Sequence, residues 1–98
     1  MKLTLSGKEF TLRCDMRALA NAKKEAGIVL EKLQEENDLV TVGTLVYFMA
    51  QSGAKYAGIP FKYTQDDFLG LIELEDLPAL SNALGAIMSV GEEKKSKG

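Results

Sequence analysis

Residues 41–57 read TVGTLVYFMAQSGAKYA. Val42, Leu45, Val46, Met49, Ala50, Gly53, Ala54 and Ala57 follow the i, i+3, i+4, i+7 spacing of one helix face. Tyr47 and Phe48 put aromatic surface on the other side. A helix that is apolar on most of its circumference has to be surrounded. The stretch is therefore expected to be a central helix, capped by Thr41 and stopped by Gly58, with the rest of the chain wrapped around it.

Upstream, residues 2–13 alternate as a β-hairpin. Leu3, Leu5, Phe10 and Leu12 share one face against Lys2, Thr4, Glu9, Thr11 and Arg13. A type II′ turn at Gly7-Lys8 would pair Leu5 with Phe10, Leu3 with Leu12 and Thr4 with Thr11. It would also set Lys2 opposite Arg13, an unfavourable like-charge pair. Asp15 is a good N-cap for a helix running to Ala26, with Gly27 as its stop and Met16, Leu19, Ala20 and Ala26 as a narrow stripe. Residues 28–36 resume a helical pattern, leaving Gly27 as either a break or a weak point within one helix. Asn37-Asp38 reads as a turn.

Downstream, Pro60 makes residues 59–63 an extended connector. Thr64-Gln65-Asp66-Asp67 resembles a capping box for a short helix through Phe68, Leu69, Leu71 and Ile72. Residues 73–76 read as a break. A last helix starts near Leu77, with Pro78 in its first turn. Its apolar stripe is Leu77, Leu80, Leu84, Ile87 and Met88, with Ala79, Ala83 and Ala86 off the stripe. The fold expected is α+β and mostly helical: an N-terminal β-hairpin packed on a bundle of about four to five helices around the central apolar helix. Residues 1–91 are expected to form a single globular domain and 92–98, EEKKSKG, a disordered charged tail.

The chain has 98 residues, 46% hydrophobic and 27% charged, an ordinary globular mix sufficient for one modest core. A net charge of −2 shows no basic excess of the kind that marks nucleic-acid binders. MKLTLSGKEF lacks the apolar core of a signal peptide, and no run reaches the length of a membrane span. These features predict a cytoplasmic protein with neither nucleic acid nor membrane as partner. There is no histidine and a single cysteine, Cys14, so the commonest general base is missing and no intramolecular disulfide is possible. No carboxylate cluster has calcium-loop spacing, and no glycine-rich loop carries a P-loop lysine. The expectation is a non-enzyme without cofactor or metal.

Two features bear on partners. Gly53, Ala54, Ala57 and Gly58 are small residues suited to a close contact with the hairpin or another helix, or to a soluble interface. Tyr47, Phe48, Tyr56, Phe61 and Tyr63 are candidate partner-binding residues, because aromatic surface is enriched at protein interfaces. The alternative is that they complete the core.

The order of these features resembles the tail assembly chaperones of long-tailed, siphovirus-type bacteriophages and prophages. The resemblance rests on LSGKEFTLRCDMRALANAKKEAG, TLVYFMAQSGAKYAG, TQDDFLGLIE and LPALSNALGAIMSV followed by a charged tail. Together these span residues 3–90, with Gly43 and Gly70 as departures from the family's pattern. The resemblance implies a homo-oligomer in the host bacterial cytoplasm that coats the tape-measure protein, helps recruit tail-tube protein and is absent from the mature virion. Many such proteins also have a longer form made by a ribosomal slip, and Lys94-Lys95 would suit adenine-rich slippery codons. The other class considered is a small helical adaptor or DNA-binding regulator of phage or mobile-element origin. Arg17, Lys23, Lys24 and Asn21 make a sparse recognition helix for that role.

Overall fold

The computed structural model describes residues 2–29, 31–32 and 38–86. Their order is β1 (Lys2–Leu5), β2 (Lys8–Thr11), α1 (Met16–Ala26), α2 (Leu39–Ala57), α3 (Gln65–Gly70), a 3₁₀ turn (Leu74–Asp76) and α4 (77–86). The fold is α+β and mostly helical, with the hairpin and the other helices packed around α2.

The central position of α2 is visible in its burial. Every residue from 42 to 50 is buried, so all sides of the helix are covered there. Thr44 tolerates this because its hydroxyl donates to the Val40 carbonyl at 2.7 Å. The helix begins earlier than expected. Asp38 is the N-cap, accepting from the Thr41 N–H at 3.3 Å and from the Thr41 hydroxyl at 2.6 Å. A carboxylate placed three residues ahead supplies the cap, and Thr41 braces it from inside the first turn. Gly58 ends the helix at φ 73°. Its N–H reaches Lys55 O and the Ile59 N–H reaches Ala54 O, closing a Schellman motif. Contrary to the expected stripe, Ala54 is half-buried and Ala57 exposed.

The hairpin forms in a different register from the one expected. Leu3 pairs with Phe10 and Leu5 with Lys8, so the turn is Ser6-Gly7. Both turn residues have positive φ, 51° and 76°, as in a type I′ turn, whose twist matches that of the strands. The Ser6 hydroxyl donates to Leu71 O at 2.6 Å, holding a non-glycine residue in this conformation. A two-residue slide leaves each strand's facing unchanged, so Leu3, Leu5, Phe10 and Leu12 are still all buried. It also removes the Lys2–Arg13 opposition. Lys2 Nζ instead reaches Glu9 at 3.5 Å, in an exposed pair that contributes little.

Strand β2 is seated on α2 at Gly53. A Cβ there would lie 2.8 Å from the Thr11 carbonyl carbon and closer still to its oxygen. The Arg13 N–H donates to Met49 O at 3.0 Å beside this contact. Of the small residues at the end of α2, Gly53 thus serves hairpin packing within the domain, whereas Ala57 is exposed and Gly58 is the C-cap.

Helix α1 is capped by Asp15, which accepts from the Ala18 N–H at 2.9 Å, and ends at Gly27 with φ 68°. Gly27 is therefore a break. Most of the helix expected over 28–36 lies outside the described residues. Ala18 and Ala22 form the buried contact of α1, while Met16, Ala20 and Ala26 are exposed. The reason is rotational. Ser52 Oγ on α2 donates to the Asp15 carboxylate, with its two oxygens at 2.7 and 2.8 Å, which turns the alanine face inward.

Thr64 caps α3 through the Asp67 N–H at 3.1 Å, and Phe68 is fully buried. In α4, Leu80 and Ala83 are buried, while Ala79 and Ala86 are half-buried beside β1. Ala83 thus belongs to the packed side rather than off it, while Ala79 and Ala86 line an open groove beside β1. Ile87, Met88 and the 92–98 tail lie outside the described residues, as does the expected end of the globular domain at residue 91.

Candidate partner-binding surface

The five aromatic residues proposed as partner surface divide into three groups. Tyr47 and Phe48 are buried, at 8% and 4% exposure, with ring centroids 4.9 Å apart in an edge-to-face contact. They complete the core, so the expectation that they form exposed aromatic surface is corrected. The central helix lies deep enough that even its second side is covered.

Phe61 and Tyr63 are half-buried. The extended connector brings them over the hairpin, where Phe10 meets Tyr63 at 5.6 Å, Phe61 at 6.5 Å and Phe68 at 5.1 Å. Such edge-to-face pairs contribute beyond area burial. Lys8 lies over the Tyr63 ring, and its Nζ donates to Tyr63 Oη at 3.2 Å. The Tyr47 hydroxyl donates to Tyr63 O at 3.4 Å. Burial, and secondarily the charge of Glu25, push the Tyr47 phenol above its usual range. This cluster binds connector to hairpin.

Tyr56 alone of the five is well exposed, at 73%. The Arg13 guanidinium stacks 3.7 Å from its ring centroid, and Arg13 Nε also donates to Asp15 Oδ2 at 3.1 Å. Burial raises the Asp15 pKa, but hydrogen bonds from the Ala18 N–H, Ser52 and Arg13 outweigh it and hold the carboxyl below 3.8. Among the described residues the exposed large apolar ones are Met16, Leu39, Val40, Tyr56, Ile59 and Leu74. Leu39, Val40 and Leu74 were given no partner role from the sequence, and Met16 was expected in the apolar stripe of α1. Only their place in the first turn of a helix or in a loop signals that nothing behind them provides cover.

Open grooves flank the hairpin and α2. One, of about 210 Å³, runs between β2 and the connector over Ala50, Ala54, Ile59, Pro60 and Phe61. A second, of about 350 Å³, lies between β1 and α4. A third, of about 330 Å³, is lined by Asn21, Glu25, Tyr47, Phe48, Gln51 and Gln65. Among the described residues no group of His, Cys, Asp and Glu is placed to hold a metal ion, and no helix is long and apolar enough to cross a membrane.

No protein family, characterised protein or solved structure matches this chain.

Proposed function

We propose that this protein is a non-enzymatic tail assembly chaperone of a long-tailed bacteriophage or prophage. It coats the tape-measure protein in the host cytoplasm, helps recruit tail-tube subunits and does not remain in the virion. The observation that carries the reading is the order of elements. A hairpin leads into a charged helix ending in glycine, then a buried apolar helix, a short capped helix and a proline-started helix, as in the family the sequence resembles. The exposed apolar residues Met16, Leu39, Val40, Tyr56, Ile59 and Leu74 support it as well. A holdase for amphipathic helices needs apolar surface in reach of its client, and dispersed side chains suit the moderate affinity that later displacement requires. Self-association through Tyr56 and Ile59 rather than Tyr47 and Phe48 accompanies this proposal.

Co-expression with the tape-measure polypeptide encoded beside its gene tests the function. The expected result is that the long polypeptide moves from the insoluble to the soluble fraction and co-purifies with this chain. A tape measure that stays insoluble overturns the proposal. DNA binding with a steep salt dependence would favour a regulator instead.

A further inference from the structure

We propose that copies of this chain associate head to tail, the Tyr56 end of α2 in one copy docking on the Leu74 end of the next. The two ends are opposite in charge, and each carries exposed apolar side chains. At the C-terminal end of α2, Tyr56 and Ile59 are exposed, as are Arg13, Arg17 and Lys55. Arg13 lies on the Tyr56 ring, and the bond from Ser52 to Asp15 holds the start of α1, with Arg17, at this end. Asp15 is the only carboxylate in the segments 11–18 and 52–59, and it is already bonded to Arg13, Ser52 and the Ala18 N–H.

At the other end, a Cβ on Gly43 would meet Leu69 and Ile72 at 3.0 and 3.1 Å, so the chain around the end of α3 packs on the start of α2. Val40, one turn back on that face, is exposed, and so is Leu74, at 82%, between the exposed Glu73 and Glu75. Residues 63–86 hold five carboxylates and no lysine or arginine. A helix of 19 residues is about 28 Å long, so the two ends cannot meet within one copy. The Leu74 end calls for apolar surface set among cations, and the Tyr56 end of a second copy offers both. Opposite charges steer such a contact and fix its register, while the aromatic and aliphatic side chains supply affinity. Joining unlike ends leaves one end free on every copy, so association continues into a ring or filament instead of closing as a two-fold dimer. The inference rests on the self-association proposed above and names the face that Tyr56 and Ile59 meet. No client takes part, so this test and the tape-measure test can fail separately.

The test is sedimentation velocity on the whole chain over a range of concentrations, at low and high NaCl. The expected result is growth beyond two copies that weakens as salt rises. Two variants change exposed residues only: Leu74→Ser with Glu75→Gln at one end, and Tyr56→Ala with Lys55→Gln at the other. Each should weaken self-association by about tenfold or more, with the parental circular dichroism spectrum. In an equimolar mixture each variant supplies the end that the other lacks, so a dimer should form at the parental affinity and grow no further. A parent that stays monomeric or stops at two copies, growth insensitive to salt, either variant associating as the parent does, or a mixture without dimer overturns the proposal.

Discussion

Gly53→Ala separates two accounts of the end of α2 by the sign of its effect. Were Gly53 only a weak point in a helix, alanine would stabilise the protein by about 1 kcal/mol. The docked hairpin reverses this. The new methyl would lie 2.8 Å from the Thr11 carbonyl carbon, inside ordinary contact, and the obstruction is backbone rather than a mobile side-chain tip. Strand and helix would have to separate, straining the Arg13 N–H bond to Met49 O at 3.0 Å. Overpacking of this kind costs about 1–3 kcal/mol, and a lost hydrogen bond about 1 kcal/mol more. After the helical gain, the expected net loss is about 2 kcal/mol, or a fall in Tm of roughly 8–16 °C for a domain of this size. Gly85→Ala is the matched control: it lies in α4 with nothing within 4 Å of its would-be Cβ, and should stabilise by about 0.5–1 kcal/mol. Urea and thermal unfolding followed by circular dichroism read both variants. A Gly53→Ala protein as stable as the parent would refute the seating of β2 on α2.

Phe10→Ala should cost about 3–5 kcal/mol, because Phe10 is buried at the centre of the aromatic cluster; an unchanged urea midpoint would mean that the hairpin is not docked. Asp15 has a folded pKa below 3.8, so its contribution is complete above that pH and disappears as pH falls through the lower folded value. The stability gap between the parent and Asp15→Asn, measured by urea titration at a series of pH values, should therefore narrow below pH 3.8, and a constant gap would contradict the Ser52–Asp15–Arg13 arrangement. Tyr56→Ala should change stability by no more than about 1 kcal/mol, the scale of its stack with Arg13. In sedimentation velocity the same variant should show weaker self-association, and unaltered association would place the contact elsewhere.

The elements that were legible in the sequence are those with local causes. The apolar circumference of 42–50 announced a surrounded helix, and Asp15, Gly27, Gly58 and Thr64 marked ends that short-range hydrogen bonds enforce. The hairpin's apolar faces were legible for the same reason, but its register was not. Both registers keep Leu3, Leu5, Phe10 and Leu12 on one face, and the contact that anchors the turn, Ser6 to Leu71, joins residues distant in the chain. The rotation of α1 was hidden similarly: Met16 and Leu19 outweigh Ala18 and Ala22 in hydrophobicity, yet the bond from Ser52 to Asp15 turns the alanines inward. The candidate surface was the least legible part. Aromatic residues count equally toward core or interface until depth is known, and depth buried Tyr47 and Phe48 while leaving Tyr56 outside.

The most direct test of the proposed chaperone role is the mass of the complex formed with the tape-measure polypeptide, measured by light scattering on the co-purified material. A coat implies many copies of this 10.7 kDa chain on each client, with the bound mass growing in proportion to client length when the client is truncated. A complex of one or two copies regardless of client length, or no complex at all, would contradict the proposal.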